Sequence, residues 1–220
     1  MVEISTSILS VDSEKSMKTF YDLEIAHTDY FHIDVMDGKF VEADTTAKME
    51  KYSEYLNHIT LIPLDVHLMV EDVERYVNIY KNIHPEYITF HYEISDSIHR
   101  IINIIKGNNI KVGLAIKPNT DISALLSYMD KLDLILVMSV EPGKGGQKYL
   151  LKSTDRINEL YEIRKKYHYN FKIEVDGGIN KETISNVQKA DMVVVGSYIT
   201  NSSNYEERIN TIMERWYERK

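Results

Sequence analysis

The chain has 220 residues, 43% of them hydrophobic, no cysteine and a formal net charge of −8. That length accommodates one large α/β domain or two small ones, and the lack of cysteine excludes a disulfide framework and a thiol nucleophile while fitting a reducing compartment. The acidic balance argues against broad contact with nucleic acid or an anionic membrane surface, but not against a small phosphorylated ligand, because backbone N–H groups bind phosphate without a basic patch.

With only 4 Pro and 9 Gly and no linker-like tract, residues 1–220 read as a single domain. The opening MVEISTSILSVDSEKS lacks a basic leader. No stretch approaches the ~20 apolar residues of a membrane span, so a cytoplasmic location is expected. In chain order, β-rich runs occur near Ile4–Leu9, Tyr30–Val35, Leu61–Leu68, Tyr87–His91, Val112–Ile116, Leu134–Ser139, Lys172–Asp176 and Met192–Gly196. Between them apolar residues recur at helical spacing. Val73, Tyr76, Val77 and Tyr80 form one stripe, and Ile98, Ile101, Ile102 and Ile105 form another. Ile122, Leu125, Leu126 and Met129 suggest a third, and Ile209, Ile212, Met213 and Trp216 a fourth. Strands alternating with helices make right-handed parallel βαβ units, and eight in series predict a closed (β/α)8 TIM barrel. A doubly wound open sheet uses the same units, but no GxGxxG follows the first run, which speaks against a dinucleotide fold.

Polar residues collect at the ends of these runs, where a barrel places its active site. His32 and Asp34 in YFHIDVMDG stand two apart and share a strand face, while His67 ends LDVHLMV and Asp176 ends KIEVDGG. Two imidazoles and two carboxylates suit a borderline divalent ion such as zinc, ferrous iron, manganese or cobalt. His91 and Glu93 end the fourth run, where a hydrogen-bonding role behind the ligands is expected. Glu174 shares a face with Asp176 and needs a partner if buried.

Taken together, TSILSVD, HIDVMDGKFV, LDVHLMV, TFHYE, VGLAIKP, VMSVEPGKGGQ, IEVDGGIN and VVVGS, in that order, resemble the ribulose-phosphate 3-epimerase family from Ile4 to about Ile199. The resemblance implies a metal-dependent (β/α)8 barrel that inverts C3 of a ketose phosphate, usually D-ribulose 5-phosphate. It assigns one divalent metal ion to His32, Asp34, His67 and Asp176, with Asp34 and Asp176 also the acid and base. Ser7, His67 and Asp176 would contact substrate, Gly143, Lys144, Gly145 and Gly146 would form a mobile loop, and Gly177, Gly178, Gly196 and Ser197 would hold phosphate. Met36, Met69 and Met138 would line the reacting centre. A homo-oligomer that binds neither nucleic acid nor membrane is expected with it.

Proton removal beside a carbonyl leaves an enediolate, whose charge a Lewis-acidic cation stabilises, and inversion needs one proton-transferring group on each face. The glycine pairs also fit plain tight turns, PGKGGQ a plain surface loop, and the methionines ordinary packing. The chain departs from the family's usual pattern at Glu42-Ala43-Asp44, Asn119, Lys144 and Thr6, in segments over the mouth that bear on substrate choice. D-allulose 6-phosphate is therefore an alternative substrate, and a non-catalytic sugar-phosphate-binding barrel a remoter one. A decarboxylase-type phosphate barrel fits poorly, because HIDVMDG has methionine where an Asp-x-Lys-x-x-Asp motif needs lysine.

Overall fold

The computed structural model describes residues 2–94 and 97–218. Strict alternation along β-branched runs lets each strand bury both faces, one against its neighbours' inward side chains and one against helices. Eight parallel strands result: β1 Glu3–Ser7, β2 Tyr30–Met36, β3 Leu64–Met69, β4 Tyr87–His91, β5 Lys111–Ile116, β6 Leu134–Met138, β7 Lys172–Asp176 and β8 Met192–Val195. They close in sequence order, with β8 returning to β1, which overturns the open-sheet alternative. The outward residues, among them Phe31, Ile33, Val66, Phe90, Leu114 and Val193, join the helices in one core. Inside the barrel, Tyr30, Tyr87, Leu134, Leu136 and Met192 fill the lower layers.

The helices are α1 Ser16–Ile25, α2 Thr46–Ile59, α3 Val73–Tyr80, α4 Ile98–Gly107, α5 Lys152–Tyr167, α6 Ser197–Thr200 and α7 Tyr205–Tyr217. The α3 and α4 stripes are buried as their spacing predicts. In α7, Ile209, Ile212 and Trp216 are buried while Met213 is half-buried. Asp72 and Asn204 cap α3 and α7 by accepting from the Arg75 and Glu207 N–H groups, both at 3.1 Å.

Three expectations need correction. The stripe from Ile122 to Met129 is not an α-helix but two 3-10 turns, Ile122–Leu125 and Met129–Lys131, with Leu126 48% exposed. Spacings of three and four bury Ile122, Leu125 and Met129 equally well in either form, and the Asp121 side chain, accepting from the Ser123 N–H at 2.8 Å, fixes the tighter start. The third strand begins at Leu64 rather than Leu61, because Pro63 lacks an N–H and Leu61 is 99% exposed. The first strand ends at Ser7 and the last at Val195, so Leu9 and Gly196 lie in the loops of the mouth.

Candidate active site

Because strand side chains alternate, β2 sends His32 and Asp34 into the barrel together, and its register sets Asp34 opposite His67 and Met36 opposite Met69 on β3. From the far side, β7 sets Asp176 beside Met138 of β6. Donor atoms of His32, Asp34, His67 and Asp176 all lie within 4.8 Å of one another. Asp34 Oδ1 is 3.3 Å from His32 Nε2 and 3.4 Å from His67 Nδ1, and Asp176 Oδ2 is 3.9 Å from His67 Nδ1. Those two imidazole nitrogens are buried and have no hydrogen-bond partner. Orphaned nitrogens facing two carboxylates at this spacing fit a divalent ion of the borderline class.

The electrostatics agree. Burial alone would raise Asp34, yet the His32 and His67 rings hold its carboxyl well below the usual carboxylate range. Burial and the Asp34 carboxylate push Asp176 up to about 6. Burial opposes charge on His32, but Asp65 and Asp34 on either side lift it well above an ordinary histidine. A cation at this point would take the place of that proton and relieve the repulsion between the two aspartates.

Behind His32 stands a carboxylate, and behind His67 a second histidine backed by one. His32 Nδ1 lies 2.5 Å from Asp65 Oδ2, which also accepts from Ser5 Oγ at 2.9 Å. Sequence reasoning missed Asp65, although it shares a strand face with His67 two residues on. Burial and the nearby Asp65 charge raise the Glu174 carboxyl well above its ordinary value, and neither of its oxygens has a hydrogen-bond partner, so the partner expected for it is not among the described residues. Asp65, Glu174 and His32 form a second, fully buried group of donors, which reads as support for His32. On the other flank His67 Nε2 is 2.9 Å from His91 Nε2, and His91 Nδ1 is 3.2 Å from Glu93 Oε2. Burial brings His91 down to about 4, so the ring is neutral at pH 7.

Above the four donors opens a cleft of ≈ 350 Å³. It is lined by Ser7, Asp34, Met36, Met69, Met138, Gly143, Lys144, Gly145, Gly146, Asp176, Gly177, Gly178, Gly196 and Ser197, while His32 and His67 lie beneath its floor. Ser7 Oγ donates to Asp34 Oδ2 at 2.7 Å, so it steadies that carboxylate as well as facing the cleft. The glycines of β7's loop also have a packing role: a Cβ on Gly177 would come within 2.5 Å of Val140, and one on Gly178 within 2.3 Å of the Tyr149 backbone nitrogen. Gln147, given no role from the sequence, ties the Gly143–Gly146 loop by donating to the Glu141 and Lys144 carbonyls at 2.6 and 2.9 Å.

A closed parallel barrel whose mouth gathers paired imidazoles and carboxylates under a glycine-rich loop has the build of a (β/α)8 enzyme. The family model of the ribulose-phosphate 3 epimerase family matches residues 3–200. Ribulose-phosphate 3-epimerase of Bacillus subtilis is 35% identical over 215 residues, 96% of this chain and 98% of its own. The Escherichia coli K12 protein of the same name is 37% identical, over 94% of this chain and 92% of its own. The chain belongs to the ribulose-phosphate 3-epimerase family and is an enzyme of that kind. Among solved structures, 3-hexulose-6-phosphate synthase from Salmonella typhimurium superposes with a TM-score of 0.73 over 100% of both chains at 14% identity. Mycobacterium tuberculosis tryptophan synthase does so with a TM-score of 0.70 over 97% of this chain and 92% of its own at 12% identity. At such identities the likeness is one of fold alone. No helix among the described residues is long and apolar enough to cross a membrane.

Proposed function

We propose that the enzyme inverts C3 of a ketose phosphate, with D-ribulose 5-phosphate and D-xylulose 5-phosphate as the pair, by two-base proton transfer. The observation that carries this reading is the placement of Asp34 and Asp176 on β2 and β7, separate strands that meet over one group of nitrogen donors. One carboxylate removes the C3 proton and the other returns a proton to the opposite face of the planar enediolate, with roles exchanged in the reverse direction. Ser7, donating to Asp34 Oδ2, keeps that carboxylate aimed while the proton moves. His32, Asp34, His67 and Asp176 would hold one divalent ion, zinc, iron(II), manganese or cobalt, which supplies Lewis-acid stabilisation of the charge developing on the sugar oxygens.

The phosphate end lies against Gly178, Gly196 and Ser197, which line the cleft where the loop after β8 enters α6. Met36, Met69 and Met138 give the reacting carbon an apolar wall, and the Gly143–Gly146 loop, with Gly143 and Gly146 at φ 116° and 73°, closes over it to exclude water. Lys144 adds a cation to that loop. A cytoplasmic homo-oligomer that engages no nucleic acid completes the reading. The test is turnover of a panel of pentulose and hexulose phosphates by the metal-loaded enzyme, read by the configuration at C3. D-ribulose 5-phosphate should turn over fastest. Preference for D-allulose 6-phosphate would transfer the assignment to a longer sugar, and no inversion of any member would refute epimerisation.

A further inference from the structure

The two histidines offer the cluster different nitrogens. His32 presents Nε2, with Nδ1 turned back to Asp65 at 2.5 Å, whereas His67 presents Nδ1, with Nε2 turned back to His91 at 2.9 Å. A ring nitrogen binds a metal only through a free lone pair, so His67 must carry its proton on Nε2. His32 has a carboxylate to impose its tautomer. His67 has only another imidazole, which serves equally well as donor or acceptor, and the choice is made one residue further out.

His91 is fully buried and its Nδ1 faces Glu93 Oε2 at 3.2 Å. The other oxygen of Glu93 is committed: Oε1 accepts from the Lys117 backbone N–H at 2.8 Å and from the Thr120 hydroxyl. An ionised carboxylate only accepts. His91 therefore donates from Nδ1, its Nε2 is left as an acceptor, and His67 fills that acceptor with an Nε2–H. The proton positions along Glu93, His91 and His67 follow one from another, and the chain ends with a lone pair on His67 Nδ1 aimed at Asp34 and Asp176.

The geometry points to Glu93 as a positioning residue that acts through His91 to hold His67 in its metal-binding tautomer. This rests on reading the four-residue cluster as a metal site; in the metal-free chain the Asp34 and Asp176 carboxylates, 3.4 and 3.9 Å from His67 Nδ1, pull the proton the other way, so the tautomer there measures whether the Glu93 chain prevails. Its sharpest consequence concerns Glu93→Gln, which is nearly isosteric. The Lys117 N–H is a fixed donor, so the new amide keeps its oxygen there and turns its NH2 towards His91 Nδ1. His91 is then forced to hold its proton on Nε2, against His67 Nε2, and His67 must move its own proton to Nδ1, where the metal would sit. One amide inverts the tautomers of two histidines.

The experiment pairs a readout without metal with one that uses metal alone. Two-bond 1H–15N correlations of the metal-free protein, at a pH where the ring is neutral, should show His67 as the Nε2–H tautomer in the parent and as the Nδ1–H tautomer in Glu93→Gln. Zinc affinity, measured by competition with a chromogenic chelator, should fall about 10- to 100-fold in Glu93→Gln, the usual range for lost support behind a ligand. Adding His91→Gln to Glu93→Gln should restore it to within a few-fold, because an amide at position 91 can rotate to offer His67 its oxygen. That double variant still lacks the Glu93 charge, so rescue separates tautomer control from simple electrostatics. An Nδ1–H tautomer at His67 in the parent overturns the proposal without any variant being needed. An unchanged tautomer in Glu93→Gln, unchanged zinc affinity, or failure of the double variant to recover overturns it as well. A parent that binds no zinc would remove the metal-site reading instead, and the tautomer measurement would still decide the proton chain.

Discussion

Neighbouring residues of β2 live in opposite surroundings. Phe31, Ile33 and Val35 point outward into a dry apolar layer shared with the helices, while His32 and Asp34, one step away on each side, point into a barrel that also holds Asp65, His67, His91 and Glu174. All of these are buried, so exposure does not distinguish them; composition does. The outer layer gains free energy by removing hydrocarbon from water, whereas the inner one costs desolvation that only mutual pairing offsets. Stability and chemistry are thus carried by alternate residues of the same strands, which predicts that they can be damaged separately.

The largest effect belongs to the inner set. Asp34→Asn and Asp176→Asn should each lower kcat by about 10²- to 10⁴-fold, the usual worth of a general acid or base, with little loss of thermal stability. Because both residues also belong to the donor cluster, metal content must be verified in each variant. Turnover in deuterated water should then show exchange from one face only, and either variant working at the parent rate would break the two-base scheme. The outer set gives the complementary result. Phe90, fully buried between barrel and helices, should cost about 3–5 kcal/mol when cut to alanine, read from urea unfolding, yet leave the zinc affinity of the folded protein unchanged. If affinity fell in step with stability, the two layers would not be separable.

A smaller effect sharpens the picture of the inner layer through pH. His32 is raised well above the ordinary histidine value, so a proton must leave its ring before metal binds, and apparent affinity should rise with pH by about tenfold per unit for that proton. Below about 6 the Asp176 carboxyl is protonated too, so a second proton is displaced and the dependence steepens. Chelator competition from acid to mildly alkaline pH checks this. A flat profile would show that no ligand holds a proton in the metal-free chain.

What the sequence made legible follows the same division. Strand alternation and the clustering of His32, Asp34, His67 and Asp176 could be read directly, because period-two patterns fix which residues share a face. Asp65 escaped notice because a polar residue at the start of an apolar strand looks like its solvent end, and only closure of the barrel makes that end interior. The turns at Ile122 and Met129 escaped for a different reason: burial spacing records which side chains face the core but not how tightly the backbone winds between them. Gly177 and Gly178 read as ligand-facing from their motif, but contacts with Val140 and Tyr149 that would tolerate no side chain lie across a tertiary interface that no local pattern reports.

That last contact makes the two loops a single object for anyone who would alter either of them. Gly178 takes a positive φ of 67° and sits so close to the backbone at Gln147 and Tyr149 that any replacement must displace the segment leading out of the glycine-rich loop. The loop after β6 and the loop after β7 are therefore sterically locked to each other. Grafting the 141–149 segment from a relative with a different sugar preference succeeds only if the 177–180 turn is transplanted with it, and drift at either one is constrained by the other.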